Sequence, residues 1–397
     1  MKKYYIATIA VSLAVLLACS FIFDFWNRTP EEEVCKVGFV YTEDESTPYT
    51  YNFIQAQHAL AEVFGDRVEI FTKSNVNSLE AETPIRELVL QGCKLIFLNA
   101  DTQAAVNICD EYPEVQFCQV SLSSISLEGK PANYHTFNGE VYQARYTAGI
   151  IAGMKLRELI DSRRIAPEEA LVGFVAANDT AEVISGYTAF LLGVRIVAPE
   201  AVMRVRYTGS WSNYAVEKQW AKELIDEGCV IIAQHTNTSG PAIACEEAFE
   251  NGKQVYHIGY HESMMDVTPS TALVSLRTNW TPYIISATQA VMDHQVIEKV
   301  VKGNLHGNDI SAGFEQDWVQ MLDLNDYLAA PGTEERMKQV IEEFCRGKKD
   351  VFRGNYTGVS PVDPTDTIDL KLGYEENKYS SNPSFRYVLN DYVIIED

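Results

Sequence analysis

Aromatic, amide, acid and imidazole side chains fall where predicted strands give way to loops. Tyr49, Tyr51 and Asn52 follow the first strand, Asn99 and Asp101 the third, Trp211 a later one, and Asn237, His261 and the pair Asn279-Trp280 those after it. Tyr49, Trp211 and Trp280 can offer flat faces, and Asn52, Asn99, Asp101, Asn237, His261 and Asn279 can offer donors and acceptors. Flat faces with polar edges suit a planar, polar heterocycle. Stacking on an aromatic side chain is worth ~1–3 kcal/mol per base, so two faces and a few buried hydrogen bonds reach micromolar affinity.

Other chemistries lack their motifs. The acidic runs Glu31-Glu32-Glu33 and Glu43-Asp44-Glu45 are followed by no D-x-[DN]-x-[DN]-G loop, and adjacent residues do not converge on one ion, so they read as solvated surface and no metal is expected. The stretch 173–178 lacks G-x-G-x-x-G, and Ser185-Gly186 and Ser239-Gly240 lack the G-x-S-x-G elbow, so neither a dinucleotide cofactor nor a serine hydrolase is supported. No cofactor is expected. The cysteines contain no C-x-x-C pair and read as small buried hydrophobes, although Cys93 and Cys118 belong to neighbouring strands that can approach one another.

These residues need a scaffold that gathers strand ends. Val37, Phe39, Val40 and Tyr41 form a strand, 42–51 a polar loop, and Phe53, Ala56, Ala59, Leu60 and Val63 the apolar face of a helix. Strands at 67–73, 94–99, 115–120 and 133–137 alternate with helices at 80–91 and 103–112. A long helix over 140–157, rich in Ala and Gly, is suited to close packing. A second series follows, with strands at 171–176, 202–207, 230–234, 254–258 and 272–276 and helices at 182–197, 213–227 and 242–251. Beyond it, 280–301 and 334–344 read as helices, 309–314 as extended, and the apolar run 387–395 as a tail packed on the second lobe. The fold class is α/β, with two Rossmann-like lobes, and ligands in such sheets sit outside the carboxyl ends of the strands.

Lys2 and Lys3 precede an apolar run that ends in Leu16-Leu17-Ala18-Cys19, which resembles the bacterial lipobox. This implies a signal peptide over 1–18, a lipid on Cys19 and a linker over 19–34; the alternative is an uncleaved anchor, since 6–23 carries no charge. Either way the domain sits outside the cytoplasm, at the membrane. The net charge of −23, from 32 basic and 55 acidic residues, excludes nucleic acid as a partner.

Several segments resemble the basic membrane protein family, lipoproteins related to the purine nucleoside receptors of ABC transporters. They are VGFVAANDTAEVISGYTAFLLGVRIVAPEA (172–201), GSWSNYAVEKQWAKELIDEGCVIIAQHTNT (209–238), FNGEVYQARYTAGIIAG (137–153) and VFRGNYTG (351–358). The resemblance implies a type I periplasmic-binding-protein fold: two lobes joined by three crossovers, a solute clamped between them, and an ABC permease as partner. Lobe 1 would comprise 35–138 with about 277–310, and lobe 2 would comprise 139–276 with about 311–397. Gln234-His235-Thr236-Asn237, Gly209-Ser210-Trp211 and Thr278-Asn279-Trp280 match the family's runs. The first loop keeps Tyr49 but not the family's glycines, Asn99-Ala100-Asp101-Thr102 lacks its aromatic, and His261 stands where a carboxylate would hold ribose. A neutral imidazole cannot chelate a diol, so a purine base should bind at least as well as its nucleoside. The alternatives are a lipoprotein that partners a membrane sensor and a nucleoside-cleaving enzyme; the latter would need a calcium-binding acidic cluster that Glu43-Asp44-Glu45 alone does not make.

Overall fold

The computed structural model describes residues 34–100, 102–121 and 129–396. The expected signal peptide, Cys19, the expected linker up to residue 33 and Asp101 lie outside the described residues.

Lobe 1 is built from β1 (Cys35–Val40), α1 (Pro48–Phe64), β2 (Val68–Lys73), α2 (Glu82–Leu90), β3 (Leu95–Leu98), α3 (Gln103–Ile108), β4 (Gln116–Val120) and β5 (Tyr134–Gly139). The chain then crosses through α4 (Tyr142–Asp161) into β6 (Leu171–Ala176), α5 (Ala181–Val197), β7 (Val202–Tyr207), α6 (Tyr214–Asp226), β8 (Ile231–His235), α7 (Gly240–Glu250), β9 (Tyr256–Tyr260) and β10 (Ala272–Thr278). It returns to lobe 1 through α8 (Thr281–Met292), α9 (Ile297–Val300), β11 (Asn304–His306) and β12 (Asp309–Ala312). Lobe 2 is completed by β13 (Val319–Leu322), α10 (Thr333–Cys345), the hairpin β14 (Thr357–Val359) and β15 (Thr367–Asp369), and β16 (Val393–Glu396).

Each lobe holds a seven-stranded sheet, in the orders β11-β12-β5-β4-β3-β1-β2 and β13-β10-β9-β8-β6-β7-β16. Within these two sheets all pairings are parallel except β11 with β12 and β10 with β13. Strands covered on both faces by helices must be apolar throughout, as β3 (LIFL, all buried) is. The core of lobe 1 includes Phe39, Phe53, Phe97, Phe137 and Trp318, and that of lobe 2 Phe174, Tyr187, Phe190 and Phe385.

Small residues in α4 let it lie directly on α5. A Cβ at Gly149 would sit 2.0 Å from the Phe190 carbonyl oxygen, so any side chain there would push the helices apart. At the crossover, a Cβ on Gly139 would meet Thr278 Cγ2 at 2.5 Å, which brings the ends of β5 and β10 into contact.

The expected helix over 280–301 is broken between α8 and α9, because His294 adopts φ +54°, a left-handed conformation that a helix of L-residues does not continue. The extended segment expected over 309–314 stops at Ala312 and gives way to a 3₁₀ turn. The apolar tail docks on lobe 2, with Val393 opposite Met203 in a parallel pairing. Cys93 and Cys118 are both buried free thiols.

Candidate ligand-binding site

Between the carboxyl ends of the two sheets lies a cleft of about 980 Å³, within the range of small-molecule sites. Tyr49, Asn99 and Glu43 face it from lobe 1, Glu182, Trp211, Asn237, Tyr260 and His261 from lobe 2, and Trp280 from the crossover.

Tyr49 sits in the first turn of α1, which Pro48 opens at a position where a missing N–H costs nothing. Its hydroxyl donates to the Asn99 carbonyl, and its ring meets Phe53 edge-on at 5.4 Å. Burial pushes the phenol's pKa well up, so it stays neutral. Asn99 lines the cleft, and its Oδ1 accepts from Thr42 N at 3.0 Å, which fixes the first loop.

On the lobe 2 side, the Trp211 carbonyl accepts from Asn237 N at 2.8 Å, so the two loops that carry them are tied together. Asn237 Oδ1 lies 3.1 Å from His261 Nε2. His261 is buried with φ +72°. Desolvation, with Arg145 adding to it, drives the imidazole pKa well below its ordinary value, so the ring is neutral.

Three expected contacts fall elsewhere. Tyr51, 41 % exposed, points to solvent, because the helix begins at Pro48 and two further residues turn the chain about 200° away from Tyr49. Asn52 is buried and donates to the Thr278 carbonyl at 2.7 Å, bracing α1 against the crossover. Asn279 is taken up by Asp317, donating to its carbonyl at 2.8 Å and its carboxylate at 3.1 Å. Trp280 lines the cleft, but one face of its ring stacks on Phe53 at 4.4 Å and 18°. Asp101 lies outside the described residues.

The sequence reading misses a buried charge behind the cleft lining. Arg145 is wholly buried in α4, donates to the Gln234 carbonyl at 2.6 Å and lies 3.9 Å over the Tyr260 ring. Burial pulls its pKa down to about 10, which leaves it charged at neutral pH. Glu182, in the first turn of α5 where the helix dipole favours an anion, lies 3.7 Å from His235. The signals were a lone arginine among Ala and Gly, and an acid in the first turn of the helix that follows a strand. Among the described residues, Glu43 and Glu182 are the charged side chains of the cleft lining, which includes no lysine or arginine. Among the described residues no group of three or more His, Cys, Asp or Glu is placed to hold a metal ion, and no helix is long and apolar enough to cross a membrane.

Two parallel-sheet lobes, with aromatic and polar side chains converging from both on one cleft, define a solute-binding protein of the periplasmic-binding-protein type. Residues 43–346 match the family described as ABC transporter substrate-binding protein PnrA-like (Bmp), and the chain belongs to that family. It is similar to a purine-binding protein from Brucella abortus (strain 2308), 29 % identical over 266 residues, which are 66 % of this chain and 70 % of the relative. It is also similar to a candidate ABC transporter glucose-binding protein of Haloferax volcanii, 26 % identical over 56 % of this chain and 50 % of that one. In fold it is similar to an ABC transporter solute-binding protein from Conexibacter woesei, with a TM-score of 0.62 at 16 % identity, covering 79 % of this chain and 97 % of that one.

Proposed function

We propose that the chain is an extracytoplasmic receptor, lipid-anchored through Cys19, that closes over a purine base or a similar planar heterocycle and delivers it to an ABC permease. The observation that carries this reading is a cleft lined by Tyr49, Trp211, Tyr260 and Trp280, with amide and imidazole groups between them and, among the described residues, no lysine or arginine in the lining. Aromatic faces favour a flat solute. The carboxylates of Glu43 and Glu182 at the lining favour an uncharged base or nucleoside over a phosphate. The purine-binding relative supports the same class. The ligand bridges both lobes and so shifts the hinge equilibrium toward the closed form that a permease engages.

Calorimetric titration with adenine, guanine, hypoxanthine, adenosine, AMP and glucose tests the reading. The expected outcome is saturable binding of at least one base or nucleoside and none of AMP. Binding of glucose alone would replace the purine with a sugar, and release of free base from inosine would replace the receptor with an enzyme.

A further inference from the structure

The crossovers at 139–142, 278–281 and 312–319 are the covalent links between the lobes. The tail adds a link that is not covalent. Its turn 376–381 is anchored in lobe 2 on both sides, by Tyr374, which bridges Phe352, and by Phe385 in the lobe 2 core. The tip reaches lobe 1 through its own backbone. Ser381 N donates to Asp309 Oδ2 at 2.6 Å, and the Asn377 carbonyl accepts from His306 Nε2 at 3.1 Å. Asp309 is buried, and its Oδ1 accepts from Thr136 Oγ1 at 2.7 Å, so the carboxylate ties the tail to both β12 and β5. The turn is also stiff. Asn377 holds φ +54°, and its Nδ2 donates to the Ser380 and Ser381 carbonyls at 3.2 and 2.7 Å. The Glu376 carboxylate accepts from Ser185 Oγ of α5 at 2.7 Å and from Ser384 Oγ at 2.8 Å. A turn locked internally and anchored at both ends does not follow lobe 1 by flexing.

We propose that the turn 376–381 is a strap across the hinge, which holds the lobes near the closed angle and so sets both the opening of the empty protein and its affinity for the solute. The affinity half rests on the receptor reading above; the opening half does not. The lobes are drawn together here, with the Tyr49 and His261 rings 5.1 Å apart across the cleft. Asp309 lies three residues before β12 ends at Ala312, about 10 Å of strand away from the crossover. It is off the pivot, so a rotation that parts Tyr49 from His261 also shifts Asp309 against the strap. A hydrogen bond of 2.6 Å is lost after little displacement. Both cross-lobe bonds therefore belong to the closed form and weight the hinge equilibrium toward it. A receptor whose binding-competent form is less populated binds more weakly by that fraction.

The test compares the full chain as wild type, as the double variant His306→Ala with Asp309→Ala, and as Asn377→Gly. The double variant removes both lobe 1 partners of the strap. Asn377→Gly keeps every atom that crosses between the lobes and only unlocks the turn, since glycine takes φ +54° without strain. Spin labels on Leu79→Cys and Tyr214→Cys, exposed beside the cleft-lining Ser78 and Ser212, report the distance between the rims. Cys345→Ser is included throughout, because Cys345 is the partly exposed thiol among the described residues. Double electron–electron resonance should show longer distances in both empty variants than in empty wild type, and saturating adenine should restore the wild-type distance. Calorimetry should show adenine affinity falling roughly tenfold in the double variant and less in Asn377→Gly. Urea unfolding checks that each variant is folded, and Asn377→Gly decides if the double variant is not. An empty-state distance equal to wild type in the folded variants would overturn the strap. Failure of adenine to bind wild type would overturn the purine reading, and the empty-state distance would then decide the strap by itself.

Discussion

The Tyr49 ring of lobe 1 meets the His261 ring of lobe 2 inside the cleft, edge to face, with centroids 5.1 Å apart and planes inclined by 64°. The contact crosses between lobes, so it forms only when the cleft is closed at this depth, and a solute that stacks on Tyr49 favours the same closed form. Tyr49→Ala should weaken adenine binding by ~1–3 kcal/mol. Tyr49→Phe keeps the ring and loses the hydroxyl that donates to the Asn99 carbonyl, for about 1 kcal/mol or less. Titration of both variants decides it: wild-type affinity in Tyr49→Ala would remove Tyr49 from the site.

The two cleft tryptophans should behave differently. Trp280 is 3 % exposed and stacked on Phe53, so Trp280→Ala is a core truncation expected to cost ~3–5 kcal/mol of stability. Trp211 is half-buried, and Trp211→Ala should leave stability nearly unchanged while weakening adenine by at least ~1 kcal/mol. Urea unfolding and titration on each variant separate the roles. A stable Trp280→Ala protein, or unaltered adenine affinity in Trp211→Ala, would contradict the assignment.

Periodicity made the scaffold legible. Buried parallel strands are continuous apolar runs, so β3 and β6 stand out, and the loops that follow them locate Tyr49, Asn99, Trp211, Asn237, His261 and Trp280 at the cleft. Side-chain direction was not legible in the same way. Tyr51 turns outward because α1 starts at Pro48, inside the expected loop, and Asn279 is claimed by Asp317, 38 residues on. Arg145 belongs to a helix whose pattern reads as packing surface, and its role appears only when the Gln234 carbonyl and the Tyr260 ring close over it. Contacts between distant segments leave no local pattern to read.

The lipid anchor is tested at Cys19. Cys19→Ser should leave the protein with residues 1–18 attached and without the acyl mass, and a chain that begins at Cys35, the first residue of β1, should be soluble and folded. Intact-mass measurement of membrane-extracted protein reads the first expectation. Finding residues 1–18 on the wild-type protein would instead favour the uncleaved anchor.

Acid should destabilise the fold through its buried histidines. His257 is wholly buried, with Nε2 3.1 Å from Gln234 Oε1, and burial depresses its pKa from 6.5 to about 3. The unfolded chain therefore takes up a proton that the folded chain refuses. The contribution is complete above pH 6.5 and is lost as pH falls toward 3, at up to about 1.4 kcal/mol per pH unit. His235 and His261 shift in the same direction, and buried Glu140 and Glu217, whose pKa values are raised, oppose them. The clean comparison is therefore His257→Gln against wild type, by urea unfolding at pH 8, 6.5, 5 and 4. The variant should lose less stability on acidification, and parallel curves would refute the assignment.

The chain beyond residue 346 lies outside the family match yet closes the core. Phe352 stacks on Phe385 at 4.3 Å, and Val388, Leu389 and Val393 belong to the core of lobe 2. Glu376, 6 % exposed, accepts from Ser185 Oγ of α5 at 2.7 Å and from Phe385 N at 3.1 Å. The same segment reaches lobe 1, where Asp309 of β12 accepts from Ser381 N at 2.6 Å and His306 Nε2 donates to the Asn377 carbonyl at 3.1 Å. The tail is thus part of the lobe 2 core and a clip on the outer hairpin of lobe 1. Glu376→Ala leaves buried donors without an acceptor and should cost at least about 1–3 kcal/mol. A chain ended at residue 346 strips the apolar cover from α4 and α5 and should lose its cooperative thermal transition. If that shortened chain melts as the full chain does, the tail is an appendage and the core of lobe 2 is complete without it.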